Sequence, residues 1–247
     1  MKFIRYAKGQ AQYRGILDGS IIKRINGTIF HDYSLSAETE NINDVVILPP
    51  VLPSKIVGFR KNYNGKREDI GMPKIFMKPQ SSIIAHGENI ILPENQTVKI
   101  EGELAVIIGK KAKNVAECHA MQHILGYTIA NDITAPQKEQ DLTVTIGKFF
   151  DTFAPLGPCI VTDIDVSDVM INTYKNGELV QSGSTKDMIF DIAYQIPYLS
   201  SIMTLLPGDI ILTGTPSAAV EVHHNDKIDI TIDNIGTLTN QCISGKL

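Results

Sequence analysis

The sequence predicts an α+β protein of the mainly-β kind. Its apolar runs are short and bounded by Gly, Pro and Asn residues, which is typical of strands. Turn dipeptides recur close to the N-terminus, and the run near the C-terminus alternates apolar with polar residues. With 247 residues and a hydrophobic fraction of 43%, the chain can bury a sizeable core.

The first thirty residues are predicted to form short strands. Asp18-Gly19 and Asn26-Gly27 are dipeptides favoured in hairpin turns, because they tolerate positive φ. The segment LPPVLPSKIVGF, residues 48–59, contains three prolines and predicts a boundary. We therefore expect a small N-terminal β unit over residues 1–52 and a main domain over residues 53–247.

A first helix is predicted over about residues 115–125. Asn114 is suited to capping its N-terminus, and Glu117 follows three residues later as in a capping box. Gly126 is suited to ending it.

A second helical region is predicted to follow Thr185 and to run to about Leu205. Pro197 lies inside it and is expected to kink or break it, since an interior proline costs about 3 kcal/mol. A Gly-Asp turn then leads into the apolar strand IILTG, residues 210–214. The run KIDITID, residues 227–233, has the alternation of a half-buried strand.

Composition argues against several kinds of partner. The net charge is −4 without a long basic run, so we expect neither nucleic-acid nor membrane binding. The N-terminal residues lack the apolar stretch of a signal peptide, and the apolar runs are too short to span a bilayer. The 3 cysteines are widely spaced and are interpreted as reduced thiols of a cytoplasmic protein.

Two glutamates mark the start of an apolar strand. Glu101 and Glu103 are two residues apart and so share a face of that strand. Burying neighbouring carboxylates is costly unless a positive charge lies between them. The spacing is compatible either with a divalent metal site or with two solvent-facing glutamates at a strand start.

Asp132 is a third candidate ligand. It lies between apolar residues in the strand-like segment GYTIANDITA, where an aspartate is unfavourable unless something compensates it. The alternative is an aspartate that caps backbone amides at a strand end. Three carboxylates without a nearby histidine or thiol would suit Mg²⁺ or Mn²⁺ better than zinc.

Two further segments carry candidate substrate contacts. Lys148 is followed by phenylalanines, where it could hold a substrate carboxylate or simply pack its stem on the rings. Thr213, Gly214 and Thr215 follow an apolar strand, and their hydroxyls and amides could seat an oxyanion or merely form a turn.

Two histidine pairs are interpreted as structural. His119 and His123 are four residues apart on the predicted helix, but no third ligand is evident. His223 and His224 are adjacent in a polar loop, where neighbouring side chains diverge.

The segments taken together resemble the fumarylacetoacetate hydrolase family over about residues 55–247. The matching pieces occur in the family's order and are EGELAVIIGK, GYTIANDITA, GKFFDTFAPLGP, TKDMIFDI and TLLPGDIILTGTPS. The resemblance implies a mixed β-sandwich roll, usually as a homodimer. It also implies Mg²⁺ or Mn²⁺ held by Glu101, Glu103 and Asp132, a catalytic or substrate-binding Lys148, and substrate contact by Thr215.

Departures from the family pattern bear on the reaction. Hydrolytic members often carry N-Y-x-x-H-x-x-E, whereas residues 62–69 here read NYNGKRED, with Lys66 and Asp69 at the His and Glu positions. Pro136 replaces the arginine of S-A-R-D. The family's glutamine falls on Glu139 or, after a one-residue slip, on Gln140. The candidate substrate-binding residues are therefore Thr215, Gly214 and Gln140.

We therefore expect a metal-dependent enzyme acting on a small 2-oxo or β-diketo acid through an enolate. Family members decarboxylate, hydrolyse or isomerise such acids. Hydrolysis needs a base to activate water, so the altered dyad favours decarboxylation or isomerisation. Hydrolysis stays open as an alternative in which Lys66 or Asp69 serves as that base. The alternative is a catalytically impaired member that binds small acids in a metal-dependent way.

Overall fold

A computed structural model describes residues 1–245 of the chain. Its strands are β1 (Lys2–Lys8), β2 (Ala11–Asp18), β3 (Ile21–Gly27), β4 (Tyr33–Asn41), β5 (Val46–Leu48), β6 (Ile56–Arg60), β7 (Lys74–Lys78), β8 (Ile83–Ile84), β9 (Asn89–Leu92), β10 (Val98–Ile100), β11 (Gly102–Ile108), β12 (Ile124–Asn131), β13 (Ala154–Val161), β14 (Met170–Lys175), β15 (Glu178–Ser184), β16 (Ile210–Leu212), β17 (Val220–Val222), β18 (Lys227–Ile232) and β19 (Gly236–Ser244).

Helices are few and short. The α-helices are α1 (Arg67–Ile70), α2 (Gln140–Thr143) and α3 (Ile192–Ile202). Single 3₁₀ turns or short 3₁₀ helices occupy Ile42–Asp44, Gln80–Ser82, Glu117–His123, Ile146–Lys148 and Thr185–Asp187. Within residues 1–245, no helix is both long enough and apolar enough to cross a membrane.

A large mixed sheet forms the frame of the molecule. Its strands lie in the order β4-β3-β2-β1-β13-β12-β11-β16-β6-β7, with β5 paired to β1 and β8 to β13. A second sheet has the order β15-β14-β18-β19-β9, and β10 pairs with β17. This arrangement confirms the predicted α+β, mainly-β class with mixed sheets.

The main core lies between the two sheets. On β11, Leu104, Val106 and Ile108 point into it and meet apolar residues such as Ile171 of β14 and Ile230 of β18. The alternate residues of β11 pack on the opposite face of the large sheet, where a second core includes Phe3 of β1. Burial on both faces explains why the segment GELAVII is apolar almost throughout.

The N-terminal strands continue the large sheet. β1 pairs with β13 through Lys2↔Val161 and Phe3↔Ile160, so one sheet runs across the predicted boundary at residues 52 and 53. The tight reversal after Asp18 joins β2 to β3, as predicted, and Gly19 there has a φ of 60°. The division into two domains remains a prediction.

The helix predicted over residues 115–125 is confirmed only in part: the segment is shorter and is a 3₁₀ helix, and the predicted end at Gly126 is wrong. A 3₁₀ helix covers Glu117–His123, and Ile124 already belongs to β12, where it pairs with Ile108. Gly126 does not end a helix but lies inside that strand. Pairing with β11 buries the apolar end of the segment, so tertiary context overrides the local capping signals.

The second helical region is shorter than predicted but does form. Asp191 caps α3 by accepting a hydrogen bond from the Tyr194 backbone amide at 2.8 Å. The helix continues through Pro197 without breaking there. The strands predicted at IILTG and KIDITID are confirmed as β16 and β18, and β18 has the predicted alternation of burial.

Candidate active site

The pairing register of β11 and β12 brings the three predicted carboxylates together. Gly102 pairs with Asn131, and the Asp132 amide donates to the Glu101 carbonyl at 2.8 Å, which extends the ladder by one step. Glu101 and Asp132 therefore lie opposite each other, with Glu103 two residues further along the same face. One oxygen from each carboxylate lies within 4.8 Å of the others.

Two lysines neutralise part of this negative charge. Lys148 contacts the Asp132 carboxylate directly, and its Nζ lies 3.3 Å from Glu101 Oε2. Lys78, whose side chain is completely buried, donates from Nζ to Asp132 Oδ1 and to the Ile133 carbonyl, both at 2.7 Å. Asp132 is thus held between two cations, as a buried carboxylate requires.

Among residues 1–245, no such cation contacts Glu103. Its side chain is buried, and its Oε2 accepts a hydrogen bond from the Gly214 amide at 2.7 Å. The ion pairs formed within residues 1–245 do not include it. Burial, together with the charges of Asp132 and Glu101, raises the pKa of the Glu103 carboxyl well above its usual value.

The pKa values of the other two carboxyl groups shift in directions that follow from the same contacts. Burial raises the pKa of Glu101, although the Lys148 charge opposes this. Burial opposes the charged form of Asp132, but Lys148 and Lys78 overcome it and lower the pKa of that carboxyl.

The pKa values of the two lysines shift in opposite directions. Burial lowers the pKa of Lys78 to about 8. For Lys148, the Asp132 and Glu101 charges outweigh burial and raise the pKa, so this ammonium keeps its proton at neutral pH.

The loop after β16 forms one wall of the site. Thr213 is fixed to Leu104 by its amide at 3.1 Å and its hydroxyl at 2.8 Å. Gly214 has a φ of 99°, and a Cβ there would lie 2.9 Å from the Asn62 Cβ, so glycine is required. This close approach allows the Gly214 amide to reach Glu103.

A cavity of about 220 Å³ opens over the carboxylates. Its walls include Glu101, Glu103, Asp132, Lys148 and Thr215. Three further cations line it, namely Arg60, Lys61 and Lys99, and no histidine among the described residues does. The site thus combines a carboxylate floor with a cationic wall.

The remaining predicted residues lie outside this cavity. Gln140 begins α2 and is exposed, whereas Thr143 and Val144 from the end of the same segment line the cavity. Lys66 and Asp69 are also exposed and line none of its walls. Substrate binding by Gln140 and by Gly214 remains a prediction, and Gly214 in this structure contacts Glu103 instead.

Lys78 and Asn62 were missed by the sequence reasoning. Alternation along β7 places Lys78 on the same buried face as Phe76, and this pattern could have identified a buried lysine that needs a partner. Asn62 donates to the Phe190 and Thr213 carbonyls at 3.0 and 2.8 Å and accepts from the Phe190 amide at 2.8 Å. These bonds pair distant segments, so no local signal reveals them.

The donor set fits a divalent cation. Glu101, Glu103 and Asp132 offer oxygen ligands only, which suits hard ions such as Mg²⁺ or Mn²⁺. Glu103 is a buried carboxylate that has no cationic partner in the part of the chain that the structure describes, and Lys78 and Lys148 do not fully offset the three acids. A cation bound beside Glu103 would compensate that remaining charge.

The chain belongs to the fumarylacetoacetate hydrolase family. The family described as "Fumarylacetoacetate (FAA) hydrolase C-terminal" matches residues 55–243. A second family, "Rv2993c-like, N-terminal", matches residues 1–50. The resemblance inferred from the sequence is thereby confirmed.

Several members of known name are similar over most of their length. Oxaloacetate tautomerase YisK of Bacillus subtilis is 40% identical over 223 residues, which cover 81% of this chain and 74% of the relative. A 2-hydroxyhepta-2,4-diene-1,7-dioate isomerase from Mycobacterium marinum superposes with a TM-score of 0.93 at 38% identity, covering 99% of this chain and 98% of that one.

A maleylpyruvate hydrolase from Sphingobium sp. SYK-6, solved with manganese(II) and pyruvate, superposes with a TM-score of 0.85 at 28% identity over 100% of both chains. The named relatives thus include a tautomerase, an isomerase and a hydrolase.

Proposed function

We propose that this chain is a divalent-metal-dependent enzyme that acts on a small 2-oxo or β-diketo acid through an enolate. The observation that carries the proposal is the meeting of Glu101, Glu103 and Asp132 with Lys148 in one cavity. The maleylpyruvate hydrolase solved with manganese(II) and pyruvate supports both the kind of cation and the kind of ligand.

The three carboxylates would hold Mg²⁺ or Mn²⁺, which when bound supplies Lewis-acid polarisation of a 2-oxo acid's oxygens. Lys148 keeps its proton and would donate hydrogen bonds to the oxygen on which enolate charge develops. Lys78 lies behind Asp132, where it orients that carboxylate rather than meeting substrate. The Thr215 hydroxyl and the loop before it would bind a second oxygen of the acid.

The cavity favours a small anion. Its volume of about 220 Å³ is below the range usual for drug-sized ligands, so a compact acid fits better than an extended one. Arg60, Lys61 and Lys99 on the outer wall attract negative charge and would hold the part of the acid remote from the carboxylates.

Keto–enol isomerisation or decarboxylation is favoured over hydrolysis. A hydrolase must activate water, and the residues at the family's His and Glu positions, Lys66 and Asp69, are exposed here and line none of the cavity walls. The similarity to an oxaloacetate tautomerase supports the same choice. Decarboxylation forms the enolate as CO₂ leaves, and isomerisation moves a proton between carbon and oxygen, so both need enolate stabilisation and a proton transfer but no base that activates water for attack.

Turnover assays would test the proposal directly. Oxaloacetate, acetylpyruvate and an enol-diacid are offered to the purified chain with Mg²⁺, with Mn²⁺ and after chelation. We expect metal-dependent tautomerisation or decarboxylation of at least one of them. A Glu103→Ala variant should lose activity at limiting metal, and undiminished activity there would show that the ligands are wrongly assigned.

The alternative function has a distinct outcome in the same experiment. If the chain binds these acids in the presence of Mg²⁺ or Mn²⁺ but turns none of them over, it is a metal-dependent binding protein instead. Failure of calorimetry to detect any metal binding would exclude both functions.

A further inference from the structure

Two arginines face each other on neighbouring strands of the N-terminal unit. Arg5 of β1 and Arg14 of β2 are direct partners in the antiparallel ladder, so their side chains emerge on the same face of the sheet. Their neighbours on that face, Phe3 and Ile16, pack toward the second core. The arginines therefore lie at the edge of the face that meets the main domain.

A cavity of about 320 Å³ lies beside them. Phe30 and the linker residues Val51 and Leu52 form part of its wall, and Gly208 of the main domain closes the far side. It is separate from the carboxylate site, since the two cavities share no lining residue. The cavity thus lies between residues of β1 and β2, the segment around residues 50–52 and the turn before β16.

No acid balances this pair of charges. The residues lining the cavity include no aspartate or glutamate, and the ion pairs within residues 1–245 include neither arginine. Like charges directly opposite on adjacent strands repel. Burial and the nearby Arg14 charge both lower the pKa of Arg5, which reflects that unfavourable placement.

Arg5 is nevertheless held in position. One Nη donates to the Pro49 carbonyl at 3.3 Å and the other to Gln12 Oε1 at 2.6 Å. These bonds hold the Arg5 guanidinium and leave some of its N–H groups without a partner among residues 1–245. Arg14 is exposed and makes no hydrogen bond or ion pair within the same residues, so its guanidinium can turn toward a ligand beside Arg5.

We propose that Arg5 and Arg14 form a binding site for the phosphate group of a small metabolite, at the junction between the N-terminal unit and the main domain. Two guanidinium forks match the charge and the several oxygens of a phosphate dianion. The cavity volume lies at the lower end of the range for ligand pockets, so a phosphate monoester with a short carbon skeleton fits. This site is independent of the reaction proposed for the carboxylate cavity.

Calorimetry on the full-length, metal-free chain tests the site, with inorganic phosphate and glycerol 3-phosphate as probes in a low-chloride buffer. We expect saturable binding of each probe at one site per chain. Arg14→Gln should weaken both by about tenfold or more, because a charge-assisted bidentate contact is lost. Arg14→Lys should retain part of the affinity. Succinate serves as a carboxylate probe and should bind more weakly than either phosphate.

Two control variants make the result specific. Lys23→Gln removes an exposed charge from the same unit but outside this cavity, and Lys99→Gln removes a charge from the carboxylate cavity. Neither should change phosphate affinity by more than about twofold. Loss of binding in Lys99→Gln but not in Arg14→Gln would place phosphate in the other cavity and overturn the proposal.

Thermal denaturation provides an independent test of the site. Without phosphate, Arg14→Gln should melt at a higher temperature than the parent chain, because cross-strand repulsion is relieved. With phosphate, the order should reverse. A lower melting temperature in both conditions would indicate that Arg14 is purely structural, and absence of any saturable phosphate binding would also refute the site.

Discussion

Replacing Glu103 with glutamine is expected to stabilise the metal-free chain while weakening its affinity for a divalent cation. Glutamine has the same shape as glutamate, and its oxygen can still accept the hydrogen bond from the Gly214 amide. It removes, however, a buried carboxylate that lies near Asp132 and Glu101 and that no cation contacts among the described residues 1–245. The two effects have opposite signs because one carboxylate disfavours the metal-free fold and favours the metal-bound one.

The sign and the pH dependence of the effect follow from the raised pKa of Glu103. In the unfolded chain a glutamate titrates near about pH 4.3. Because the folded pKa lies well above this, the stability contributed by the protonated form is complete at low pH and is lost as pH rises toward the folded pKa. Replacing a buried charge that lacks a partner with a neutral group should raise the free energy of unfolding by about 1 to 4 kcal/mol near neutral pH.

Urea denaturation of the chelated protein from about pH 5 to about pH 8 measures this difference. The gain in unfolding free energy should be small at the acid end and should increase with pH. Calorimetry with Mn²⁺ should show an affinity at least about tenfold weaker in the variant, since one anionic ligand is missing. Glu94→Gln, an exposed substitution outside the cluster, is the matched control and should change neither quantity.

Two results would refute the reasoning. If Glu103→Gln is less stable than the parent at every pH, the carboxylate is not under electrostatic stress in the metal-free fold. If Mn²⁺ affinity is unchanged, Glu103 is not a ligand.

Three further substitutions and one mass measurement test other parts of the structure. Lys148→Met should lower kcat at saturating metal by about 10²-fold or more, because the cation facing the enolate is lost, and an unchanged kcat would contradict that role. Lys78→Met should lower the free energy of unfolding by about 3 to 5 kcal/mol, measured with urea, because it leaves Asp132 with one cation instead of two. Asn62→Ala should cost about 2 to 5 kcal/mol in the same assay, because buried backbone groups lose their partners, and a loss below about 1 kcal/mol would show that they find others. The homodimer expected from the family resemblance predicts twice the chain mass in light scattering, and a monomer at micromolar concentration would contradict it.

Some of the site could be predicted because it depends on local spacing. Glu101 and Glu103 share a face in any extended strand, and the carboxylates next to apolar residues indicated a compensating charge. The spacing of residues along the sequence did not predict which strand pairs with β11 or in which register. Asp132 lies opposite Glu101 only because Gly102 pairs with Asn131, and many registers are compatible with the same two sequences.

Other features depended on contacts between distant segments. The run near residues 115–125 has helix capping signals, yet its apolar end is drawn into β12 by pairing with β11. Lys78 is separated from Asp132 by more than fifty residues, and the contact with that carboxylate stabilises the buried ammonium. Local propensity carries no information about either contact, so the sequence predicted the class of fold more completely than the details of the site.

The two halves of the cavity have different structural origins. The carboxylates are positioned by the antiparallel ladder of β11 and β12. Arg60, Lys61 and Thr215 instead lie at or just after the ends of β6 and β16, which run parallel and therefore end at the same edge of the sheet. An engineer could exchange the residues that end β6 to admit a differently charged acid, while the ladder that sets the carboxylates stays as it is. Under the proposed function, the fold would therefore separate the residues that choose the substrate from those that perform the chemistry.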